Sequence, residues 1–139
     1  MPDGDWSAKA KQNADYHVEA QRRAKEQEAV RGRELIAAFV VAARERGLPE
    51  RDLTVRPYKG GGRYRTGLRG WYLLPDQSIG VDAEANFYVL SAPPSLAARI
   101  RGMTLPPTPA PMRVGERDGE SMNLGDLLTK RLGAGADHA

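Results

Sequence analysis

The chain has 139 residues, of which 21 are Lys or Arg and 18 are Asp or Glu, so its formal net charge is +3 at pH 7. This length is enough for one domain with a modest core. The chain has no cysteine, which excludes disulfides, thiolate catalysis and cysteine-based zinc sites. No apolar run approaches the roughly 20 residues of a membrane span, and the acidic N-terminus lacks the apolar region of a signal peptide. We therefore expect a cytoplasmic protein without membrane contact.

The first 34 residues are predicted to form a charged helical arm. Residues 7–34 are rich in Ala, Gln, Lys, Arg and Glu and contain no proline, which favours a helix. Its apolar positions are mostly alanine, so the helix would be weak alone. Three interpretations stay open: a solvated lead-in to the next segment, a thin helix that self-associates or contacts a protein partner, or a nucleic-acid-binding arm. Acidic residues between the basic ones disfavour the third.

The next segments predict a core helix and the start of a sheet. In a helix over residues 35–46, apolar residues would occupy most of the circumference, which is typical of a helix packed on a sheet. The helical pattern can be followed continuously from about residue 6 to 46. Gly47 is a plausible C-cap, and Pro49 follows as a stop. Residues 53–58 predict a first strand, which Pro57 places at an edge or at its end.

Residues 70–91, GWYLLPDQSIGVDAEANFYVLS, predict three short strands joined by two tight turns. The first turn is expected at 75–78, with proline supplying the preset φ, and the second at 83–86, with Asn86 tolerating a left-handed backbone. Alternation places Trp71 and Leu73 on one face of the sheet and Tyr72 and Leu74 on the other. Both faces are apolar, so we expect cover on each side.

The C-terminal part predicts smaller elements that complete one domain over residues 35–133. Residues 94–101 favour a short helix, and the proline-rich stretch 105–111 is expected to be extended and to wrap along the body. Residues 112–114 predict a short strand, and 115–119 a turn. Asn123 could cap a last helix that ends at Gly133. A disordered tail is expected over 134–139. The predicted fold is α+β: an antiparallel β-meander of four to five strands, packed by a core helix and a C-terminal helix, with a long N-terminal helical arm.

Catalytic and metal chemistry are not indicated by the sequence. The two histidines, His17 and His138, lie in a polar helix and in the tail, without a carboxylate companion motif. No serine sits in a GxSxG elbow. The carboxylate pairs Asp82/Glu84 and Asp118/Glu120 are interpreted as turn chemistry. We therefore expect no enzyme activity, no metal and no cofactor.

The stretch from residue 56 to 71 is the densest chemical feature of the sequence. Five basic residues and no acid lie between Arg56 and Gly70, and three aromatic residues alternate with them. The candidate contact residues are Arg56, Tyr58, Lys59, Arg63, Tyr64, Arg65, Arg69 and Trp71. Three explanations stay open: phosphate neutralisation with base stacking, protein recognition, or a structural role in ion pairs and core packing. The run Gly60–Gly62 could present backbone N–H groups to an anion, or could form a flexible hairpin loop.

The charged helix, the segment GRYRTGLRGWYLLPDQSIGVDAEANFYVL and the ending RDGESMNLGDLL together resemble small uncharacterised proteins of high-GC actinobacteria. The resemblance covers most of residues 35–132. It implies a cytoplasmic single-domain protein of unknown function, and it supplies no catalytic or binding residues to transfer.

We predict a non-enzymatic binding or adaptor protein whose contact face is the basic and aromatic loop over residues 56–71. The N-terminal helix would add self-association or further partner contacts. The alternative is a nucleic-acid-binding accessory protein that uses the same basic surface, although no recognised RNA-binding signature or zinc finger supports it.

Overall fold

The computed structural model describes residues 2–115 and 121–137. The carboxylate pair Asp118/Glu120 and His138 lie outside this range, as do residues 116–119 of the predicted turn at 115–119. The described chain has the predicted α+β architecture: a long N-terminal helix, a five-stranded sheet that is mainly antiparallel, and a C-terminal helix.

Helix α1 spans Pro2–Glu45, so the helical pattern does run without a break through the arm and the core segment. Its C-terminal end closes as the sequence predicts, with Gly47 at φ 71°. The Leu48 N–H donates to the Ala43 carbonyl at 2.9 Å, and the Gly47 N–H donates to the Arg44 carbonyl at 3.1 Å. This pair of bonds is a Schellman motif, which satisfies carbonyls that the helix leaves free and turns the chain toward the sheet.

The sheet is formed by β1 (Arg51–Pro57), β2 (Tyr64–Tyr72), β3 (Ile79–Asp82), β4 (Phe87–Val89) and β5 (Ser91–Ala92). Their order is β4-β3-β2-β1-β5. The first four strands pair antiparallel, as predicted, whereas β5 pairs parallel to β1. Only Leu90 separates β4 from β5, although these strands occupy opposite edges of the order. The sheet therefore curls, and the segment 87–92 closes it.

Each face of the curled sheet has its own core. The outer core joins the sheet to α1 and to the C-terminal helix; its largest sheet residue is Trp71, packed with Leu73, and its main helix residues are Ile36 and Phe39. The inner core lies inside the curl and contains Tyr72. The predicted separation of Trp71 and Leu73 from Tyr72 is thus confirmed. Leu74 differs from the prediction, because it lies beyond the end of β2 and packs on the outer core.

The C-terminal part covers both faces. Helix α2 spans Leu96–Arg101 and closes the inner core, and the proline-rich strap that follows wraps along the body as predicted. The Thr108 N–H donates to the Phe87 carbonyl at 2.7 Å. A Cβ placed on Gly32 would lie 2.8 Å from the Ala110 Cβ, so the missing side chain of Gly32 allows the strap to approach α1 closely.

A two-stranded ribbon, β6 (Arg113–Gly115) with β7 (Ser121–Asn123), leads into helix α3, Leu124–Ala134. Asn123 caps α3 as predicted, because its side chain accepts from the Gly125 N–H at 2.7 Å. The helix continues past the predicted stop at Gly133. A 3-10 turn, Gly135–Asp137, follows it, so the predicted tail overlaps described structure over 134–137, while 138–139 lie outside the described range.

Both turns of the meander differ from the sequence expectations, and Arg131 has a buried position that the sequence did not indicate. Gln77 adopts φ 62° and its N–H donates to the Leu74 carbonyl at 3.0 Å, so the first turn begins one residue earlier than predicted. Ala85, not Asn86, holds the left-handed position of the second turn at φ 66°. Arg131 points inward: its Nε donates to the Tyr72 carbonyl at 2.7 Å. Burial, followed by a neighbouring arginine, lowers the pKa of Arg131.

Candidate functional site

The connection between β1 and β2 contains several of the predicted contact residues. It spans residues 58–63, and Gly60 and Gly62 adopt φ angles of 85° and 86°, a region that suits glycine. Tyr58 and Lys59 are exposed, as are the glycines. The predicted hairpin loop is present, but it is shorter than the basic stretch, because residues 64–72 belong to β2.

Helix α2 lies against this loop and against the start of β2. Arg99 Nη2 donates to the Gly61 carbonyl at 3.0 Å. Arg65 Nη2 donates to the Ile100 carbonyl at 3.3 Å. Each of these arginines uses one nitrogen for the bond and remains exposed at the surface. The loop, the start of β2 and α2 therefore form one continuous surface. We call this surface, together with the exposed Arg56 at the end of β1 next to the loop, the basic surface.

Tyr64 is buried in the inner core, so its predicted place on the contact face is wrong. Its hydroxyl accepts from the Ser95 N–H at 2.8 Å, at the residue that caps α2. Ser95 in turn accepts from the Ala98 N–H at 3.1 Å. Tyr64 thus holds the start of α2 in place, and its ring cannot stack on an external partner.

Trp71 is likewise buried, which corrects its prediction as a contact residue. It packs in the outer core, where its ring meets Phe39 edge-to-face with 6.0 Å between ring centroids. Its indole N–H, the only polar group of the side chain, donates to the Leu48 carbonyl at 3.2 Å. The side chain therefore joins the sheet to the end of α1.

Arg69 is exposed but already has a partner. Its Nη1 lies 2.9 Å from Asp52 Oδ1, and its Nη2 donates to the Glu50 carbonyl at 3.3 Å. It also pairs in register with Asp52 near the start of β1, so it lies toward the opposite end of the β1–β2 hairpin from the loop. Arg69 therefore belongs to a surface ion pair, which contributes little to stability, and not to the basic surface.

Arg63 is half-buried at the end of the loop. Its Nε donates to Thr54 Oγ1 at 2.5 Å, and Thr54 also contacts the Tyr72 hydroxyl at 3.2 Å. Arg63 Nη2 is buried and has no hydrogen-bond partner among the described residues. The guanidinium therefore anchors the loop to β1, while its charge adds to the field of the basic surface.

Helix α2 adds candidate contact residues that the sequence reasoning missed. Arg99 adds a positive charge beside the loop, and Arg101 adds a second one in the last turn of α2. Leu96 and Ile100 are exposed by 75% and 68%, and Tyr58 on the loop is exposed by 67%. A signal for this was present in the sequence, because the long stretch 87–115 that contains α2 has no Asp or Glu.

The segments that form the basic surface are free of acidic residues. Neither the stretch 53–75 nor the stretch 87–115 contains Asp or Glu. Within the described part of the chain, Arg56, Lys59 and Arg101 make no salt bridge or side-chain hydrogen bond, and all three are exposed. Unpaired positive charge is thus combined with exposed Tyr, Leu and Ile side chains.

The most strongly bonded titratable group lies elsewhere and holds a turn. Asp82 is buried, and its carboxylate accepts from the Glu84 and Asn86 N–H groups and from the Tyr88 hydroxyl. Burial, and then this carboxylate, raises the pKa of Tyr88 to about 12. These groups bond to each other and to the backbone of the β3–β4 turn, so the geometry is that of a structural network.

Among residues 2–115 and 121–137, no group of three or more His, Asp or Glu side chains could hold a metal ion. A groove of about 360 Å³ lies between α1 and the strap, beside Val30, Phe87 and Thr108. It contains one titratable side chain, Arg33, so it does not assemble the convergent polar groups of a catalytic pocket.

No family model, no curated protein and no solved structure matches this chain. The resemblance to actinobacterial proteins therefore stays a prediction. In the described residues, no helix combines the length and the apolar character that crossing a membrane would require.

Proposed function

We propose that this chain is a non-enzymatic cytoplasmic binding protein that engages an acidic protein partner through its basic surface, and that α1 adds self-association. The observation that carries the proposal is the combination, on the loop and α2, of unpaired basic side chains with exposed apolar ones.

Charge supplies the first part of the argument. The exposed bases Arg56, Lys59, Arg65 and Arg101 project from acid-free segments, so their positive potential is not cancelled locally. A surface of one sign speeds the encounter with an oppositely charged partner and rejects partners of its own sign. An acidic partner is therefore favoured over a neutral or basic one.

Apolar exposure supplies the second part. Leu96 and Ile100 lie four residues apart on α2, so they share one face of that helix, and both are largely exposed. A contact with phosphates would leave these side chains in water, whereas a protein partner could cover them. Arg and Tyr beside a small apolar patch are also typical of protein interface hot spots.

Nucleic acid is the second candidate, because the unpaired bases would neutralise phosphates equally well. The structure removes part of the support that the sequence offered. Of the three interleaved aromatic residues, only Tyr58 is exposed, so little stacking surface remains.

The test compares two labelled probes by fluorescence anisotropy: an acidic peptide that contains Leu and Trp, and single- and double-stranded oligonucleotides. Each is titrated at low and at physiological ionic strength. We expect the triple variant Arg56→Ala/Lys59→Ala/Arg101→Ala to weaken peptide binding roughly tenfold. The matched control, Lys9→Ala/Lys11→Ala/Lys130→Ala, removes the same charge from exposed positions elsewhere and should leave binding unchanged.

A second variant separates the two candidates. Replacing Leu96 and Ile100 by Ser keeps every charge, so it should weaken the peptide complex and leave oligonucleotide binding unchanged. The nucleic-acid candidate would be favoured if oligonucleotide binding weakens steeply as the salt concentration rises, is lost in the triple variant and is unchanged in the serine variant. No binding of either probe at low salt would refute both.

A further inference from the structure

The solvent side of α1 contains a stripe with coiled-coil spacing. Between Tyr16 and Val41, every residue that lies on this stripe, at alternating spacings of four and three, has an exposed side chain. Tyr16, Val30 and Val41 on this stripe are exposed by 72%, 59% and 57%. Steps of four and three residues define the a and d positions of a heptad. The stripe is about 38 Å long at the rise of an α-helix.

The stripe lies on the opposite side of α1 from the core. Gly32, Ile36, Phe39 and Ala43 are buried against the strap, the sheet or α3. At about 100° per residue, these positions are roughly half a turn away from the stripe. A helix docked along the stripe would therefore meet mainly α1. The folded body borders the stripe at Val30, which also lines the groove beside the strap.

The stripe is complementary to itself when it is read in the opposite direction. In an antiparallel pair whose centre falls between residues 28 and 29, Tyr16 faces Val41 of the second copy. In the same register Ala20 faces Ala37, and their small side chains permit close helix approach. Every facing pair joins an a position to a d position, which is the arrangement that antiparallel coiled coils require.

The charges select this register. Arg23 faces Glu34 of the second copy, and the central layer pairs Gln27 with Val30. Within its own chain Arg23 uses only Nε, at 3.3 Å from Glu19, so its terminal nitrogens make no hydrogen bond among the described residues. A parallel pair in register would instead place Arg23 against Arg23 and Glu34 against Glu34, which is repulsive.

We propose that this stripe is the interface of an antiparallel homodimer, in which Arg23 of each copy pairs with Glu34 of the other. The inference rests on the self-association named in the proposed function and specifies its surface, direction and register. The interface is narrow and partly polar, so the dimer is weak and depends on concentration.

Sedimentation equilibrium of the full chain, without any ligand, tests the proposal at protein concentrations up to roughly 0.5 mM. Arg23→Glu and Glu34→Arg each replace two attractive contacts by two repulsive ones. We expect each variant alone to weaken the dimer roughly 10- to 100-fold. An equimolar mixture of the two variants restores both attractions and should dimerise. The chain that carries both substitutions should dimerise like the wild type. Far-UV circular dichroism verifies that every variant is helical.

Direction is tested with single cysteines, since the chain has none of its own. Ala20→Cys and Ala37→Cys, mixed and mildly oxidised, should give the mixed disulfide. Each variant oxidised alone should give little dimer. Disulfides within each pure variant would show a parallel pair and overturn the proposal.

The proposal would also be overturned if the wild type stays monomeric at the highest concentration, or if neither charge reversal changes the dissociation constant of the dimer. None of these substitutions touches the basic surface. A failure of the dimer therefore leaves the peptide-binding result interpretable, and a failure of peptide binding leaves the dimer test valid.

Discussion

Replacing Asp82 by Ala is expected to be among the most destabilising single substitutions in the sheet. Asp82 is buried at the end of β3. Oδ1 accepts from the Glu84 N–H at 3.0 Å and from the Asn86 N–H at 2.9 Å. Oδ2 accepts from Asn86 Nδ2 at 3.1 Å and from the Tyr88 hydroxyl at 2.8 Å. The sequence interpretation of this carboxylate as turn chemistry is consistent with that geometry.

The magnitude follows from what the substitution leaves behind. Hydrogen bonds to a charged group contribute about 1.5–3 kcal/mol each, but bonds that share one carboxylate are not additive. Without the carboxylate, the Tyr88 hydroxyl is left buried and unpaired, which costs a further 1–3 kcal/mol or so. We expect Asp82→Ala to lower the free energy of unfolding by about 3–5 kcal/mol, which corresponds to a fall in Tm of roughly 10–20 °C.

The assay is urea unfolding, followed by tryptophan fluorescence and circular dichroism. Glu84→Ala is the matched control, because this carboxylate belongs to the same turn and is exposed. Its effect should be below about 0.5 kcal/mol. A double-mutant cycle with Tyr88→Phe should give a coupling energy of about 1–2 kcal/mol, because the double variant has no buried hydroxyl without a hydrogen-bond partner. A loss below about 1 kcal/mol for Asp82→Ala, or an additive cycle, would refute the reasoning.

Three further predictions use the same unfolding assay. A Cβ at Gly70 would lie 1.9 Å from the Val81 carbonyl oxygen, so Gly70→Ala should cost about 3 kcal/mol or more, whereas Gly115→Ala, whose Cβ would meet no described residue within 4 Å, should be nearly neutral. Asn123→Ala removes the cap of α3 and should cost about 1 kcal/mol; no loss would show that the cap is dispensable. Burial, followed by a neighbouring carboxylate, raises the pKa of Tyr88 to about 12, above the value near 10 of an unfolded tyrosine. The protonated hydroxyl therefore stabilises the fold fully below about pH 10, and this contribution is lost as the pH rises through about 12; Tyr88→Phe should flatten that decline.

Local patterns in the sequence predicted much of the fold. The apolar girth of residues 35–46, followed by Gly47, predicted the core helix and its end, because helix packing and capping depend on neighbouring residues. The meander was predictable for the same reason: short apolar runs alternate with turn residues. Asn123 as a cap belongs to this class as well. In each case the signal lies within a few residues of the structure that it specifies.

The remainder depended on contacts between distant segments. Tyr64 and Trp71 alternate with arginines in the sequence, but strand alternation and the curl of the sheet bury them on opposite faces, whereas Arg65 and Arg69 stay exposed. The parallel strand β5 could not be predicted from its two residues, because its pairing depends on closure of the sheet. Arg99 joined the basic surface only once α2 was placed beside the loop.

The two proposed contact surfaces lie on opposite sides of the curled sheet. Helix α1 packs on the outer core, whereas α2 closes the inner core and contributes to the basic surface. An antiparallel pair formed through the solvent side of α1 would therefore leave both basic surfaces uncovered, each on the far side of its own body. The dimer would present two equivalent basic surfaces to one acidic partner or to a clustered array of partners. A second contact in such an array is intramolecular, so a weak dimer and a weak contact face could together give a much stronger association than either surface alone.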